Sequence, residues 1–410
     1  MRLIVQKFGG TSVANQERRN MVVNKIDIAK KKDYFPIVVV SAIGRSGDPY
    51  ATDTLINFVK SIGVEPNPRE KDLLMSCGEV ISCVMLANTL KKMGYECKVF
   101  TGAQAGIITD DNYGDAEVLK VEPDNILECV EKNVIPIIAG FQGVTEDGNI
   151  TTLGRGGSDV TAAIIGEAIN AEIVEIYTDV DGVMTADPAI VQDARVMETV
   201  FYNEIFQMAE YGAKVIHPRA VEIAMRSNMP LLIKSTLTDN NGTLITNYDK
   251  SRRYRQDKDE NVITAIAQIG NRSQFKIKFD GSANQYEKDT ILFNLIAAEK
   301  ISIDMINIYP DVKMFIVDGV NESKLISILK AQGYNFQVIP NCTKVTIIGN
   351  KMRGMPGVMA KMVEGLSECN IEILQTSDSH TTISCLIKSE STNAAVNALH
   401  KKFDLGRNKL

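Results

Sequence analysis

Two glycine-rich stretches lie far apart in the chain, and each combines a flexible backbone with charged side chains. The first is K-F-G-G-T-S, from Lys7 to Ser12, and the second is T-L-G-R-G-G-S-D, from Thr152 to Asp159. Each follows a strand-like run and precedes a helix-like run, so an anion could reach the free N–H groups at a helix start. Lysine adds a cation, arginine a fork suited to a carboxylate, and aspartate an oxygen ligand for magnesium or a partner for lysine. The pair predicts a phosphoryl-transfer site.

Each stretch alone is also compatible with a tight turn between a strand and a helix. Neither matches the G-x-x-x-x-G-K-[ST] phosphate loop, and the segment 154–157 is not the G-x-G-x-x-G dinucleotide pattern. The occurrence of both stretches, with a lysine, an arginine and an aspartate, favours a catalytic site over two turns.

Length, charge and cysteine content restrict the class of protein. A chain of 410 residues exceeds one ordinary core and predicts two or three domains, and a net charge of −6 argues against nucleic-acid and anionic-membrane partners. We find no signal-peptide pattern and no run that reaches the roughly 18 apolar residues of a membrane span. The seven cysteines lack C-x-x-C spacing, which favours reduced thiols. We expect an unprocessed cytoplasmic protein.

Strand-like and helix-like segments alternate over residues 1–246. This alternation predicts an α/β domain, with a mainly parallel sheet between helices and ligands at the carboxyl ends of the strands. The charged, apolar-poor stretch 247–261 predicts a linker. The predicted strands are Leu3–Gln6, Ile37–Ser41, Cys97–Thr101, Val134–Ala139, Ile173–Thr178 and Leu231–Lys234, and the predicted helices include Asp72–Met93 and Asp159–Ile169.

After the linker the pattern becomes two short ferredoxin-like units. Residues 274–340 give a complete βαββαβ order, whereas residues 341–410 end before a fourth strand. We expect Val262–Gln268 to be the missing strand. The second unit would then comprise 262–273 and 341–410, with the first unit inserted into it. Two unrelated ferredoxin-like units that form only a dimerisation surface are the alternative.

Motifs along the whole chain resemble those of the aspartokinases, which join an amino acid kinase fold to two C-terminal ferredoxin-like ACT domains. The matching stretches are K-F-G-G-T-S from Lys7, V-V-V-S-A from Val38, S-C-G-E from Ser76, T-G-A-Q-A-G from Thr101, A-G-F-Q-G from Ala139, T-L-G-R-G-G-S-D from Thr152, Y-T-D-V-D-G-V from Tyr177, G-A-K-V-I-H-P from Gly212 and I-L-Q-T-S-D-S-H-T-T-I-S from Ile373. The stretch 41–55 and the S-D-S-H-T-T-I tail are most similar to the diaminopimelate-responsive type of spore-forming bacteria.

The resemblance implies ATP-dependent phosphorylation of the β-carboxylate of L-aspartate to 4-phospho-L-aspartate. This reaction is the first step toward lysine, diaminopimelate, threonine and methionine. The β-carboxylate has a pKa of about 3.9 and is ionised at neutral pH, so the nucleophile needs no general base. Catalysis then consists of positioning two anions and stabilising the transferring phosphoryl group. A site with lysines, an arginine and ATP-bound magnesium fits that task, and with three scattered histidines we expect no zinc site.

The family's site residues carry over by position. Lys7 would hold the β- and γ-phosphates, Asp159 would orient Lys7 and the metal-phosphate, and Lys214 would be a second phosphate cation. Arg155 would bind the aspartate α-carboxylate and Glu79 its ammonium group. The other expected aspartate-binding residues are Thr52, Phe141, Gly156, Gly157 and Ser158. The other expected nucleotide-binding residues are Phe8, Gly9, Gly10, Thr11, Ser12, Ser41, Thr178, Asp179, Met184, Asp187 and Pro188.

Two of these assignments have ordinary alternatives, and two positions depart from the family. Glu79 could face solvent on a helix, and Phe141 could be a core residue. Many aspartokinases have tyrosine where this chain has Met184 and arginine where it has Ala189. The departures put adenine stacking and one phosphate contact in question.

The ACT resemblance also implies regulation by an amino acid and pairing between chains. ACT domains bind amino acids where a loop enters a helix, here 280–285 or 353–358, and only the second has a G-M-P-G turn. The resemblance favours meso-diaminopimelate as effector, with lysine and threonine as alternatives. Exposed sheet edges favour a homodimer or a higher homo-oligomer. The expected effector residues are Met355, Pro356, Gly357, Val358, Asp304, Asn307, Ser377 and Asp378.

Two other classes of function remain open on the sequence alone. Another amino acid kinase, such as glutamate 5-kinase, acetylglutamate kinase or a nucleotide monophosphate kinase, would share the glycine loops but not ordinarily the two ACT units. A catalytically silent amino-acid sensor would have lost Lys7, Asp159 or Lys214, and all three are present.

Overall fold

The computed structural model describes residues 1–213, 215–247, 263–279, 285–350, 352 and 356–406. The chain forms two compact units. The first consists of Met1–Val183, Val196–Ala209 and Lys214–Arg255, and the second of Met184–Arg195, Glu210–Ala213 and Gln256–Leu410. Two segments from the predicted N-terminal domain, 184–195 and 210–213, therefore group with the C-terminal unit.

The first unit is an α/β structure, as the alternating pattern predicts. Its strands are β1 Arg2–Phe8, β2 Tyr34–Val40, β3 Cys97–Phe100, β4 Ile107–Thr109, β5 Val118–Val121, β6 Ile135–Ala139, β7 Gln142–Val144, β8 Ile150–Thr152, β9 Ile173–Thr178, β10 Thr199–Phe201, β11 Leu231–Ser235 and β12 Thr243–Thr246. Its helices are α1 Gln16–Lys31, α2 Thr52–Lys60, α3 Pro68–Lys92, α4 Asp124–Glu131, α5 Gly157–Ala168, α6 Tyr202–Glu210 and α7 Pro218–Arg226.

Eight of these strands form one sheet with β1 near its centre. The order is β10-β12-β11-β9-β1-β2-β6-β3, and every neighbouring pair is parallel except β11 and β12. Such a sheet needs cover on both faces, which explains why β2 and β6 are continuous apolar runs. Helices α1 and α3 pack with these strands in one buried cluster, and α5 packs against β1 and β9. A separate small sheet, β5-β4-β7-β8, is not predicted by the sequence pattern.

Helix α3 is unusually apolar for a helix that carries functional side chains. By length and composition it is the one helix among the described residues that could cross a membrane, which differs from the sequence expectation. Of its most apolar 18-residue stretch, 56% is buried inside the protein. A single helix of this kind is weak evidence for a membrane span, because the core helix of a folded domain has the same composition.

The second unit contains two ferredoxin-like halves built on shared strands. Its strands are β13 Ile263–Lys278, β14 Asp304–Ile308, β15 Val312–Asp318, β16 Asn335–Gly349, β17 Gln375–Asp378 and β18 Thr382–Lys388. Its helices are α8 Gln285–Ala298, α9 Glu322–Ala331, α10 Val358–Ser367 and α11 Thr392–Lys402. The sheet order is β14-β15-β13-β16-β18-β17, which is the ferredoxin-like order of each half joined through β13 and β16.

The first part of β13 completes the sheet of the second half, as expected for Val262–Gln268, of which Val262 lies outside the described residues. Ile266 pairs with Ile347, while Phe275 pairs with Phe315 and Val338 in the first half. The sequence pattern predicts two separate strands here, one at 262–268 and one at the start of 274–340. In the structure β13 is one strand with register shifts between residues 269 and 274. The expected domain boundaries stay a prediction.

Asparagines mark the irregular midpoints of both shared strands. Asn271 in β13 has φ 53° and Asn341 in β16 has φ 53°, a left-handed conformation that asparagine tolerates better than most residues. A local bulge turns the strand without ending it. The outer strands β14 and β17 also approach each other, because the Gln375 side-chain amide donates to the Asn307 side chain at 2.6 Å.

Candidate functional site

A cavity of the first unit lies where strands β1, β2 and β6 end. Its volume is about 720 Å³. Loops that follow these strands and β8 form its wall, as expected for a parallel sheet. The lining residues are Lys7, Gly10, Ser41, Ala42, Gly44, Arg45, Ser46, Ala51, Thr52, Asp53, Ile56, Lys71, Met75, Glu79, Gly114, Phe141, Gly154, Arg155, Gly156, Gly157, Ser158 and Asp159. This set includes Lys7, Asp159 and every predicted aspartate-binding residue.

Lys7 and Asp159 form an ion pair in this cavity. Lys7 lies near the end of β1 and Asp159 in the first turn of α5, and the Lys7 Nζ atom is 2.7 Å from the Asp159 Oδ1 atom. The two side chains are only 11% and 13% exposed. The arrangement directs the lysine ammonium and holds it beside the N-terminus of a helix, where an anion is favoured.

The first glycine loop fits closely against the loop that follows β2. A Cβ atom on Gly10 would lie 2.3 Å from the Ala42 carbonyl oxygen, so a larger residue would displace the backbone. Gly10 and Thr11 open a short 3-10 turn, whose first N–H groups have no acceptor within the turn. The Gly9 N–H instead donates to the Tyr177 carbonyl at 3.1 Å. The Gly9 N–H is therefore already used by this bond and does not point freely toward an anion, although a nucleotide-binding role of Gly9 stays a prediction.

Glu79 is buried in the wall of the cavity, which excludes the solvent-facing alternative. It lies on α3 and is 2% exposed. One oxygen, Oε1, accepts from the Ala42 N–H at 3.1 Å, and Oε2 has no hydrogen-bond partner among the described residues. Burial disfavours the charged form and raises the pKa of Glu79 to about 8. Once its proton is lost, the unpartnered Oε2 atom can accept from a cation in the cavity.

The second glycine loop adopts a conformation that glycine favours. Gly154 has φ 71° and Gly156 has φ 67°, and a Cβ atom on Gly156 would lie 2.3 Å from the His217 Cβ atom. His217 is the N-cap residue of α7, so its role here is structural support for the loop. The guanidinium of Arg155 lines the cavity without a hydrogen bond or ion pair to any described residue. It is available to an anionic ligand.

Phe141 lines the cavity in a strained backbone conformation. Its φ is 71°, which for a bulky residue costs on the order of 1–3 kcal/mol. The Phe141 N–H donates to the Thr161 side chain at 3.0 Å, and a Cβ atom on Gly157 would lie 2.7 Å from the Phe141 ring. Strain of this kind persists where the surroundings enforce it, and such positions concentrate at functional sites.

Several predicted nucleotide residues have other partners. Phe8 is fully buried and stacks on Tyr177 with 4.8 Å between ring centroids. The Ser12 hydroxyl is 2.7 Å from the Thr236 hydroxyl in the core. Thr178 donates to Asp179 at 3.1 Å, and Asp179 is also ion-paired with Arg45.

Three further predicted nucleotide residues do not line the cavity. Met184, Asp187 and Pro188 belong to the segment 184–195, which is part of the second unit. There Thr185 hydrogen-bonds His400 at 2.9 Å, and Val191 is buried in the core of the second half. Lys214 lies outside the described residues.

Four of the eight expected effector residues lie on the two outer strands of the second unit. Asp304 is ion-paired with Lys344 at 2.5 Å, and Asn307 accepts from Gln375. Ser377 and Asp378 belong to β17. Pro356 and Gly357 precede α10, which begins at Val358 with Gly357 at φ 97°, and Met355 lies outside the described residues.

Sequence reasoning missed several residues of the site. Arg45, Asp53, Lys71 and Met75 line the cavity without having been assigned a role. The stretch that contains Arg45 and Asp53 is part of the family resemblance and could have suggested both. Among the described residues, no three His, Cys, Asp or Glu side chains are grouped closely enough to hold a metal ion.

Comparisons with known proteins agree with this architecture. The model of the Amino acid kinase family matches residues 2–235, and a model described as ACT domain matches residues 337–401. The cavity at the strand ends thus belongs to an amino acid kinase with a C-terminal ACT region.

Similar proteins define the family more narrowly. Aspartokinase 1 of Bacillus subtilis is 43% identical over 407 residues, which cover 99% of this chain and 100% of that protein. The aspartokinase of Mycolicibacterium smegmatis is 38% identical, over 99% of this chain and 97% of its own. The solved structure of E. coli aspartokinase III with aspartate and ADP has a TM-score of 0.77 at 24% identity, over 98% of this chain and 99% of its own. The chain belongs to the aspartokinases, the kinases that phosphorylate L-aspartate with ATP.

Proposed function

We propose that the cavity at the ends of β1, β2 and β6 is where this aspartokinase binds L-aspartate and magnesium-bound ATP. The observation that carries the proposal is the joint presence of the Lys7–Asp159 pair, the unpartnered Arg155 guanidinium and the buried Glu79 in one cavity. Glu79 and Arg155 can pair with the ammonium and carboxylate groups of an amino acid. Lys7 can pair with a phosphate.

The aspartate end of the cavity comprises Glu79, Arg155 and their neighbours. Arg155 and Ser158 bind the α-carboxylate, because a guanidinium fork and a hydroxyl are both donors to it. The free Glu79 Oε2 atom accepts from the α-ammonium. Thr52, Phe141 and the Gly156–Gly157 backbone enclose the rest of the substrate. The β-carboxylate is then left pointing toward Lys7.

The phosphate end of the cavity comprises Lys7, Gly10 and Ser41. The ammonium of Lys7 and the first N–H groups of the 3-10 turn, from Gly10 and Thr11, stabilise charge on the transferring phosphoryl group. Asp159 is the described carboxylate best placed to orient Lys7 and the magnesium-phosphate, since it lies beside both the lysine and the helix start. Magnesium enters with ATP as part of the substrate and neutralises phosphate charge.

For the other expected nucleotide-binding residues, the proposed contacts rest on their positions in the sequence alone. Lys214 is the second phosphate cation. Thr178, Asp179, Met184, Asp187 and Pro188 contact the nucleotide, and Phe8, Gly9 and Ser12 act by shaping the first loop.

The reaction itself needs little from the protein beyond placement. The aspartate β-carboxylate is already ionised and attacks the γ-phosphorus, while the bond to the bridging oxygen of ADP breaks. No proton has to move, so neither histidine nor cysteine is required at the reacting atoms.

All seven cysteines are free thiols, which supports a reducing, cytoplasmic location.

Loss of the lysine and loss of the arginine should affect different kinetic constants. Lys7→Ala should lower kcat roughly 10²- to 10³-fold, since its charge acts mainly in the transition state. Arg155→Ala should raise the KM for aspartate about 10-fold or more with a smaller effect on kcat, because it binds a carboxylate that does not react. A coupled ADP-release assay with aspartate, glutamate and UMP measures both and tests the substrate.

Exposed cations outside the cavity provide the controls for this assay. Lys120→Ala and Arg69→Ala should leave both constants near the wild-type values. Normal turnover of Lys7→Ala would contradict the role of the first glycine loop.

The raised pKa of Glu79 predicts a pH-dependent affinity for aspartate. Below its pKa of about 8, Glu79 carries a proton that must leave before the carboxylate can accept from the substrate ammonium. The KM for aspartate should therefore fall as the pH rises from about 6 to about 8, by up to roughly tenfold per pH unit, and then level off. Initial rates over this range test it, with Glu79→Gln as control. Glu79→Gln should show a high KM for aspartate that does not vary with pH in this way. If the variant keeps the wild-type pH dependence, the assignment of Glu79 as the partner of the substrate ammonium is refuted.

We further propose that an amino acid regulates the enzyme through the second unit. E. coli aspartokinase III has been solved with lysine and aspartate bound, which supports an amino-acid effector. The start of α10 offers free N–H groups to a carboxylate, next to Pro356, Gly357 and Val358. Met355, which precedes them in the sequence, is the fourth candidate residue there. Asp304, Asn307, Ser377 and Asp378 are the candidate partners of the effector ammonium. The effector is meso-diaminopimelate, with lysine or threonine as the alternatives.

Substitution at the turn before α10 should weaken feedback and leave catalysis unchanged. A Cβ atom on Gly357 would meet open space, but its φ of 97° strains any larger residue. Gly357→Ala should reduce inhibition about 5-fold or more, within the usual coupling of 5- to 150-fold. Gly333→Ala, with φ 70° and equally open surroundings, is the matched control and should keep normal inhibition. Titration of the three amino acids, alone and in pairs, is the measurement, and no inhibition of the intact enzyme by any of them would refute regulation.

We also propose that the second unit pairs two chains. Ile306, Ile308 and Tyr309 are 47%, 58% and 52% exposed on or beside the outer strand β14, and Ile291 on α8 is 53% exposed. An outer strand with apolar side chains favours pairing with another chain.

Light scattering of the intact protein should show at least a dimer at micromolar concentration. Ile308→Lys should weaken it, because a charge on the apolar edge opposes pairing. Leu119→Lys, at an exposed position of the first unit, is the control. A monomer with full activity and normal regulation would contradict this proposal.

A further inference from the structure

A fully buried carboxylate, Asp72, lies behind the cavity wall and is not part of its lining. It belongs to α3 and its exposed fraction is 0%. Its Oδ2 atom accepts from the Thr152 N–H at 2.7 Å and from the Gly114 N–H at 2.9 Å. Its Oδ1 atom accepts from the Thr152 hydroxyl at 2.9 Å. No cation of the described residues is paired with it.

These three hydrogen bonds are what makes the burial of Asp72 tolerable. A buried carboxylate without a cation is costly unless donors satisfy its oxygens, and hydrogen bonds to a charged acceptor are the stronger ones. The three donors belong to two residues: the backbone N–H of Gly114, and the backbone N–H and hydroxyl of Thr152. Asp72 therefore fixes two loops to one helix rather than neutralising a charge.

Both residues adjoin the second glycine loop, Thr152 in the sequence and Gly114 through packing. Thr152 is the last residue of β8, three residues before Arg155. A Cβ atom on Gly154 would lie 2.4 Å from the Asp115 Oδ1 atom, so the loop around Gly114 and the second glycine loop are packed without spare room. A shift of Thr152 or Gly114 would therefore move the Arg155 backbone.

The same helix also carries Glu79. Residues 72 and 79 are seven positions apart, about two turns, and so project from the same side of α3. Both are buried, Asp72 at 0% and Glu79 at 2% exposure. Helix α3 thus holds Glu79 directly and Arg155 through Asp72 and Thr152.

We propose that Asp72 is a positioning residue that sets the separation between Arg155 and Glu79, and thereby the affinity for the α-amino acid group of aspartate. The inference rests on the proposed roles of those two residues. Asp72 touches neither substrate, so its effect is on the geometry of the aspartate end of the cavity and not on the phosphate end.

Paired substitutions at Thr152 test the inference without altering the carboxylate. Thr152→Val keeps the shape but removes the donor to Oδ1, whereas Thr152→Ser keeps the donor. Thr152→Val should raise the KM for aspartate roughly 10-fold, the scale of one hydrogen bond to a charged group, with the KM for ATP and kcat within about twofold of wild type. Thr152→Ser should restore the KM for aspartate. Asp72→Asn, whose NH₂ group would face a donor, should match or exceed the effect of Thr152→Val.

The outcomes separate this inference from the assignment of the site. If Arg155→Ala and Glu79→Gln leave the KM for aspartate unchanged, the proposed site is wrong. If they raise it while Thr152→Val and Asp72→Asn leave it unchanged, or raise both KM values alike with a lower melting temperature, the positioning role is refuted. Failure of both variants to fold, with Thr152→Ser folded, would also overturn it, because Asp72 would then serve stability alone.

Discussion

The ion pair between Lys7 and Asp159 is the contact on which the arrangement of the first unit depends. It joins the end of β1, near the centre of the eight-stranded sheet, to the first turn of α5. Both groups are largely buried, so removal of one would leave a charge without its partner, at a cost of about 3–5 kcal/mol for a fully buried pair. The sheet and the helix N-terminus are thereby held together at the cavity.

Around this pair, charges are supplied by elements distant in sequence. The cation Lys7 comes from β1, the carboxyl group of Glu79 from α3, and the guanidinium of Arg155 from the loop after β8. Each is supported by close backbone contacts, at Gly10, Gly78 and Gly156. A Cβ atom at any of the three would lie within 3 Å of a neighbouring atom. The glycines of the family motifs therefore serve packing between loops as much as access of a phosphate to the backbone.

Much of this arrangement follows from sequence pattern alone. Apolar runs predict the strands, strand ends in a parallel sheet predict that Lys7 and Asp159 meet, and the family motifs add Glu79 and Arg155. Hydrogen bonds between distant segments do not follow from it. The Gly9 amide bonds Tyr177 because β9 neighbours β1, and Asp72 in an apolar helix has no local signal for its partners in β8 and the loop at Gly114. In β13, Asn271 has the left-handed conformation typical of a turn. Pairing of β13 with β15 and β16 nevertheless keeps the strand continuous.

The two long strands of the second unit have a consequence for how such a chain could be divided. Because β13 and β16 each run through both ferredoxin-like halves, the halves share one sheet, and only the first half is contiguous in sequence. A shorter polypeptide that retains the second half must therefore start before Ile263, and so it carries the whole first half as well. A break between the halves would divide the β13–β16 pairing and leave an open sheet edge on each fragment, so the second half cannot be separated from the first without losing a strand.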